Sequence, residues 1–242
     1  MPDALFADPR LAALYDPLDP DRSDLDAYLA MADEFGARSV LDVGCGTGTF
    51  ACLLARRGID VAAVDPAAAS LAIARAKPHA DQVRWIHGDA TTLPSLQVEL
   101  ATMTGNVAQV FLTDENWMST LHGVRAALRP RGRLVFETRD PVRRGWLEWN
   151  RAQTYVRADV SGVGVVEAWC DLIEATDQFV TFRWTYVFES DGAVLNSEST
   201  LRFRSRGEVE DSLAATGFEV DDVREAPDRP GRELVFVARR AV

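Results

Sequence analysis

Three glycines, Gly44, Gly46 and Gly48, stand two apart in the stretch VLDVGCGTGTF at residues 40–50, with Asp42 just ahead of them. Glycine carries no Cβ, so the main chain there can approach a bound molecule closely. An apolar strand that runs into such a turn at the start of a helix makes a ligand site. The strand ends open a crevice, and the first N–H groups of the helix lack partners within it. The spacing narrows the ligand. The dinucleotide fingerprint GxGxxG wants its third glycine at position 49, where this chain has Thr49. A GxGxG turn needs no pyrophosphate. It suits a ligand whose amino-acid part lies over the glycines, its ammonium answered by backbone carbonyls and, directly or through an intermediary, by Asp42. Cys45, inside the turn, reads as a small buried residue facing that ligand rather than as a nucleophile.

Two further carboxylates follow at spacings that fit a nucleoside. Asp65 ends the apolar run DVAAVD, 21 positions after Gly44, and its two oxygens can accept from the two hydroxyls of a ribose. Pro66 follows it where an arginine would answer a 2′-phosphate. Asp89, in HGDATTLP (87–94), can accept from the exocyclic amine of a purine. Each aspartate also has an ordinary explanation as a cap, a turn residue or an Asx-turn. All three together with the glycine turn argue for a site.

These residues need a scaffold, and the sequence pattern supplies one. Strands are expected at 39–44, 60–65, 82–88, 99–104 and 132–138, with helical stretches between them. Such alternation predicts a parallel sheet with crossover helices on both faces. The stretch TDENWMSTLHGVRAALRPRG reads as one helix leading to the fifth strand, and 24–36 as an amphipathic helix ahead of the first. From about 150, polar and apolar residues alternate over 154–160, 164–175, 179–190 and 194–205, punctuated by TDQ and SDGA, which predicts an antiparallel meander. A helix at 206–217 and two closing strands should rejoin the first sheet, so the meander is an insertion. The expected division is an N-terminal segment 1–24, a ligand-binding unit 25–140 with 205–242, and an insertion 141–204.

The chain has 242 residues, a formal net charge of −11 and three cysteines in no paired motif. The acidic balance argues against nucleic acid as a partner. No apolar run is long enough for a membrane helix, and the mixed, acidic N-terminus does not read as a signal peptide. The odd cysteine count fits a reducing compartment, so a cytoplasmic location is expected.

The motifs LDVGCGTG, VDP after the second strand, GDA after the third and LRPRGRLVFET at the fifth resemble those of class I S-adenosylmethionine-dependent methyltransferases of the small-molecule type. The resemblance covers about residues 25–140 and the closing elements. It implies a Rossmann-like, doubly wound α/β sheet of seven strands, mostly parallel with the last antiparallel, interrupted by an antiparallel β insertion after the fifth. It implies S-adenosyl-L-methionine as cofactor, with Gly44 and Gly46 at its methionine part, Asp65 at the ribose, and Asp89 and Ala90 at the adenine. Met103, ending the fourth strand, is placed on the adenine side. Small-molecule members often carry an N-terminal tyrosine in a lid over the cofactor, a role that falls here to Tyr15.

The expected reaction is methyl transfer to a nitrogen or oxygen of a small molecule by in-line displacement. The alternative is a cofactor-binding regulatory or partner protein without turnover. The acceptor belongs beyond the strand ends, beside Asn106, which either orients it or holds the turn. "TGNV" is not the Asn/Asp-Pro-Pro-Tyr/Phe signature of nucleic-acid amino-methylating members. His122 is the first candidate base, followed by Glu137 or Tyr155. Arg139 can hold an anionic group or form a salt bridge, and Trp146, Trp149 and Tyr155 are candidate acceptor contacts. No metal-ligand set is evident. Phe182, Trp184, Tyr186 and Phe188 share one strand face, which suits a core or a homodimer surface better than a substrate platform.

Overall fold

The computed structural model describes residues 2–241. Its main sheet has seven strands: β1 (Ser39–Val43), β2 (Asp60–Asp65), β3 (Val83–His87), β4 (Val98–Met103), β5 (Leu128–Arg139), β10 (Phe218–Glu225) and β11 (Glu233–Arg240). They lie in the order β10-β11-β5-β4-β1-β2-β3. β1 pairs in parallel with both β2 and β4, whereas β11 runs antiparallel to β5 and β10. The second sheet is the expected insertion, an antiparallel meander of β6 (Val156–Val160), β7 (Gly164–Ala175), β8 (Phe179–Phe188) and β9 (Val194–Arg202).

Strand alternation divides the core of the main sheet in two. Leu41, Val43, Ala101, Met103, Leu134 and Phe136 face α7 (Asp114–Ala127) and α9 (Arg206–Ala215), meeting Trp117, Leu121 and Leu213. Val40, Val61, Ala63, Leu100 and Val135 face the opposite way, onto Tyr28 and Leu29 of α4 (Asp26–Glu34) and Phe50 and Leu54 of α5 (Thr49–Arg56). Side chains that alternate along each strand thus require helices on both faces. α6 (Ala68–Ala74) completes the β2–β3 crossover. The chain winds from β1 toward β3 in one direction and from β4 toward β5 in the other. The crevice at this reversal opens at the carboxyl ends of β1 and β4.

The helix before the fifth strand is shorter than its sequence suggests. α7 stops at Ala127, and the RPRG segment already belongs to β5. Pro130 disfavours helical backbone at Arg129 and cannot donate to a helix. The N-terminal segment folds as three one-turn helices, α1 (Ala4–Ala7), α2 (Pro9–Ala12) and α3 (Tyr15–Leu18). Leu11 and Leu14 from it pack on Tyr186 and Phe188 of β8 and on Val166 of β7. The aromatic face of β8 therefore belongs largely to the chain's own core. Phe182 on the same face packs edge-on against Trp149, ring centroids 4.7 Å apart; Trp149 precedes the one-turn helix α8 (Arg151–Thr154).

Candidate functional site

A cavity of about 230 Å³ opens over the glycine turn. Gly44, Cys45, Gly46 and Thr47 line it, with Asp65 and Pro66 from the end of β2, Asp89 and Ala90 after β3, and Thr104 and Gly105 after β4. A Cβ on Gly44 would meet Val107 at 2.6 Å, whereas one on Gly46 would meet nothing within 4 Å. Both have positive φ, 72° and 53°. At Gly46 the glycine thus serves the turn and leaves open space beside the main chain, as a ligand-approaching backbone requires.

Asp65 has a structural task as well as a place in the lining. Its Oδ2 accepts from the Gly46 N–H at 2.8 Å and its Oδ1 from the Ala67 N–H at 2.7 Å. Burial pushes its carboxyl up from the usual range, and the Ala67 and Gly46 N–H groups pull it back. Two such bonds leave lone pairs free for ligand hydroxyls. At Asp89 the turn reading and the ligand reading coexist: Oδ1 accepts from the Thr91 N–H and hydroxyl, while the carboxylate still lines the cavity.

Asp42 and Met103 lie beneath the site, not in its lining. Met103 is fully buried in the core under α7; the next residues, Thr104 and Gly105, reach the cavity instead. Asp42 is buried, takes a hydrogen bond from the Thr102 hydroxyl at 3.1 Å on Oδ1, and leaves Oδ2 without a partner among the described residues. Burial raises its carboxyl to about 7. An orphaned carboxylate oxygen under a glycine turn fits a cationic ligand above it. Because the folded carboxyl holds its proton more tightly than the unfolded one, it costs stability progressively as pH rises from about 4 to about 7. Thermal melts of Asp42→Asn should lose this decline across that range. Equal pH dependence in the variant and the parent would remove Asp42 as its source.

A second cavity, of about 460 Å³, adjoins the first. Tyr15, Arg22 and Gly105 line both. Its polar floor comes from Asn106, from Glu137 and Arg139 at the end of β5, from Arg229 in the turn before β11 and from Glu233 at the start of β11. Glu137 Oε1 accepts from the Gly105 and Asn106 N–H groups at 2.7 and 3.0 Å. Glu233 accepts from Asn106 Nδ2 at 3.1 Å and from Arg229 at 2.8 Å. Trp184 and Tyr186 of β8 supply an aromatic wall, their rings stacked with centroids 6.1 Å apart.

Of the residues expected around the acceptor, Asn106 and Arg139 line this cavity; four others do not. His122 is exposed: α7 buries Trp117, Thr120, Leu121 and Val124, which turns position 122 toward solvent. Trp146 is buried against Phe203, centroids 4.7 Å apart. Trp149 stays behind Arg139, whose guanidinium lies over its ring at 5.4 Å. Tyr155 precedes Val156, which takes the inward position, and is itself 44% exposed. Sequence reasoning missed Arg22, Glu233, Arg229 and the wall residues Trp184 and Tyr186. Glu137, expected as a base candidate after His122, does line the cavity. Among the described residues no group of three or more His, Cys, Asp or Glu side chains could hold a metal ion, and no helix is long and apolar enough to cross a membrane.

Comparison with known proteins agrees with this geometry. The methyltransferase-domain family model matches residues 40–132. A protein of Geobacillus sp. (strain WCH70), named as a candidate methyltransferase, is 25% identical over 235 residues, 93% of each chain. Several other curated relatives align over about half of their own length. An S-adenosylmethionine-dependent methyltransferase from Clostridium acetobutylicum superposes with a TM-score of 0.76 at 17% identity, covering 96% of this chain and 98% of that one. A sugar N-methyltransferase from Streptoalloteichus sp. gives 0.74 at 20% identity, covering 94% and 91%. With a glycine turn, two lining aspartates and an open main chain at Gly46, the residues fit S-adenosylmethionine, and the chain carries a methyltransferase domain over residues 40–132 within the fold of S-adenosylmethionine-dependent methyltransferases.

Proposed function

We propose that the protein transfers a methyl group to a nitrogen or oxygen of a small molecule, by in-line displacement. The observation that carries this reading is the pair of adjoining cavities that share Gly105, Tyr15 and Arg22. When bound, S-adenosylmethionine supplies a methyl group already activated on a sulfonium, so the protein's work is to position and to exclude water. In this reading the Gly44–Thr47 turn and Asp65 hold the cofactor, with Asp89 and Ala90 at its base. Asn106, Arg139 and the aromatic wall orient the acceptor on the far side of Gly105.

Residues 1–24 act as the lid, 25–140 with 205–242 as the cofactor-binding unit, and 141–204 as the acceptor cover. A polar clasp supports the lid assignment. Asp16 accepts from the hydroxyls of Thr47 and Thr49 at 2.9 and 3.2 Å, and Lys77 Nζ sits 2.7 Å from its other oxygen. The clasp ties the N-terminal segment to the glycine turn and carries Tyr15 over both cavities. The likeness to a sugar N-methyltransferase supports a small, polar acceptor. Three free cysteines suit the cytoplasm as the place of reaction. A homodimer through the insertion would have to use the sheet face away from Tyr186 and Phe188.

The test is release of S-adenosylhomocysteine by the purified protein with a panel of small amines, alcohols and phenols. Acceptor-dependent release is expected. Tight cofactor binding with no release across the panel would replace this reading with that of a cofactor-binding partner protein.

A further inference from the structure

Building on the proposed methyl transfer, we infer that the acceptor is an amine that enters protonated, and that Glu137 receives both its charge and its proton. The acceptor cavity is lined by five acids and three arginines. Most of the acids are already answered. Glu233 has Arg229 at 2.8 Å and Arg139 at 3.7 Å. Asp24 has Arg22 at 3.1 Å, and Asp228 has Arg229 at 3.3 Å. Asp19 is exposed at the rim, where water answers it. Glu137 alone is buried, 6% exposed, with no cation within 4 Å among the described residues.

The two oxygens of Glu137 have different surroundings. Oε1 is fixed by the N–H groups of Gly105 and Asn106, the turn that separates the two cavities. Oε2 takes no hydrogen bond from the described residues, yet is not fully buried as the orphaned Asp42 oxygen is. A buried carboxylate persists where it is paired. Here the chain provides anchoring but no counter-charge within 4 Å, and the anchoring Gly105 N–H belongs to a residue that lines both cavities. An alkylammonium supplies the missing charge; an alcohol or a phenol does not.

The other groups around Glu137 favour this assignment. Burial, and then the charge of Glu233, raise the Glu137 carboxyl to about 7, against the pull of the two N–H groups and Arg229. A proton acceptor near neutrality is well matched to work at physiological pH. Arg139 on the same strand and Arg22 in the N-terminal segment are spent on Gln109, Glu233 and Asp24. The phenols of Tyr15 and Tyr186 are pushed up by burial and stay protonated. The proton balance closes. The ammonium gives one proton to Glu137 and becomes a neutral amine. Its lone pair forms the N–C bond as the C–S bond breaks, that bonding pair staying on sulfur. The positive charge passes to the methylated nitrogen, and the proton on Glu137 leaves to solvent with the product.

Two measurements test the inference. In the first, Glu137→Gln is compared with the parent protein on paired amines and alcohols. The glutamine oxygen can still accept from Gly105 and Asn106, so S-adenosylhomocysteine affinity should be retained. The kcat/KM for amines should fall roughly 100-fold or more, with loss of the acidic limb near pH 7. Turnover of alcohols or phenols but of no amine would overturn the inference and leave methyl transfer standing. In the second, 13C NMR follows the Glu137 carboxyl, assigned by its loss in the Gln variant, in cyclohexylamine and in cyclohexanol. The amine should move the titration midpoint down by about one unit or more, as an adjacent opposite charge does, and the alcohol should leave it in place. An unchanged midpoint in the amine overturns the inference. This second readout decides it even where no acceptor turns over, an outcome that would count against the proposed function instead.

Discussion

Replacing Asp65 by alanine is expected to lower the affinity for S-adenosylhomocysteine by about 100-fold or more. Two losses combine. The first is the hydrogen bonds a carboxylate offers to a bound ribose, worth roughly 1.5–3 kcal/mol each where one partner is charged. The second is the brace on the site itself. Asp65 holds the Gly46 N–H at 2.8 Å and the Ala67 N–H at 2.7 Å, so its removal frees the glycine turn on one side and the entry to α6 on the other. Since each 1.4 kcal/mol is tenfold in affinity, the first loss alone accounts for much of the effect. Asp65→Asn should be milder, because the amide oxygen can keep one N–H partner while the NH2 group faces the other. Calorimetric titration checks the ranking, with circular dichroism to establish that both variants fold. Unchanged affinity in folded Asp65→Ala would contradict the ribose assignment.

The second large effect is on stability. Gly123 lies in α7, where alanine would ordinarily be preferred by about 1 kcal/mol. Here a Cβ would stand 2.0 Å from the carbonyl oxygen of Ala90 and 2.7 Å from its carbon. Those are main-chain atoms, so no rotamer change relieves the overlap. Gly123→Ala should therefore destabilise by about 1–3 kcal/mol, the usual range for overpacking. At roughly 2–4 °C per kcal/mol for a chain of this size, Tm should fall by about 2–12 °C. Because Ala90 lines the cavity over the glycine turn, S-adenosylhomocysteine affinity should fall as well. A rise in Tm would show that helix and loop can separate at no cost.

The cavity over the glycine turn was legible because its signals are local. Gly44, Gly46, Asp65 and Asp89 each stand at the end of a short apolar run, and a strand followed by a turn needs no long-range information. The doubly wound sheet followed from the same alternation. Met103 was misplaced by one residue, and a shift of one along a strand exchanges cavity for core. The second cavity is assembled from segments far apart in the chain. Glu137 and Glu233 lie almost a hundred positions apart and meet only because β11 inserts antiparallel beside β5, pairing Glu233 with Arg139. No sequence pattern announces that register. The aromatic residues after β5 drew attention by their number, but Trp146 and Trp149 are consumed by packing on Phe203 and Phe182. His122 looked chemical by type and proved to sit on the solvent face of an amphipathic helix.

The most direct test of the whole account is a crystal structure of the protein with S-adenosylhomocysteine. The account predicts the amino-acid part over Gly44–Gly46, the ribose hydroxyls on Asp65, the base beside Asp89 and Ala90, and the sulfur turned toward Gly105 and the second cavity. A nucleoside bound elsewhere, or a thioether pointing away from Gly105, would contradict it.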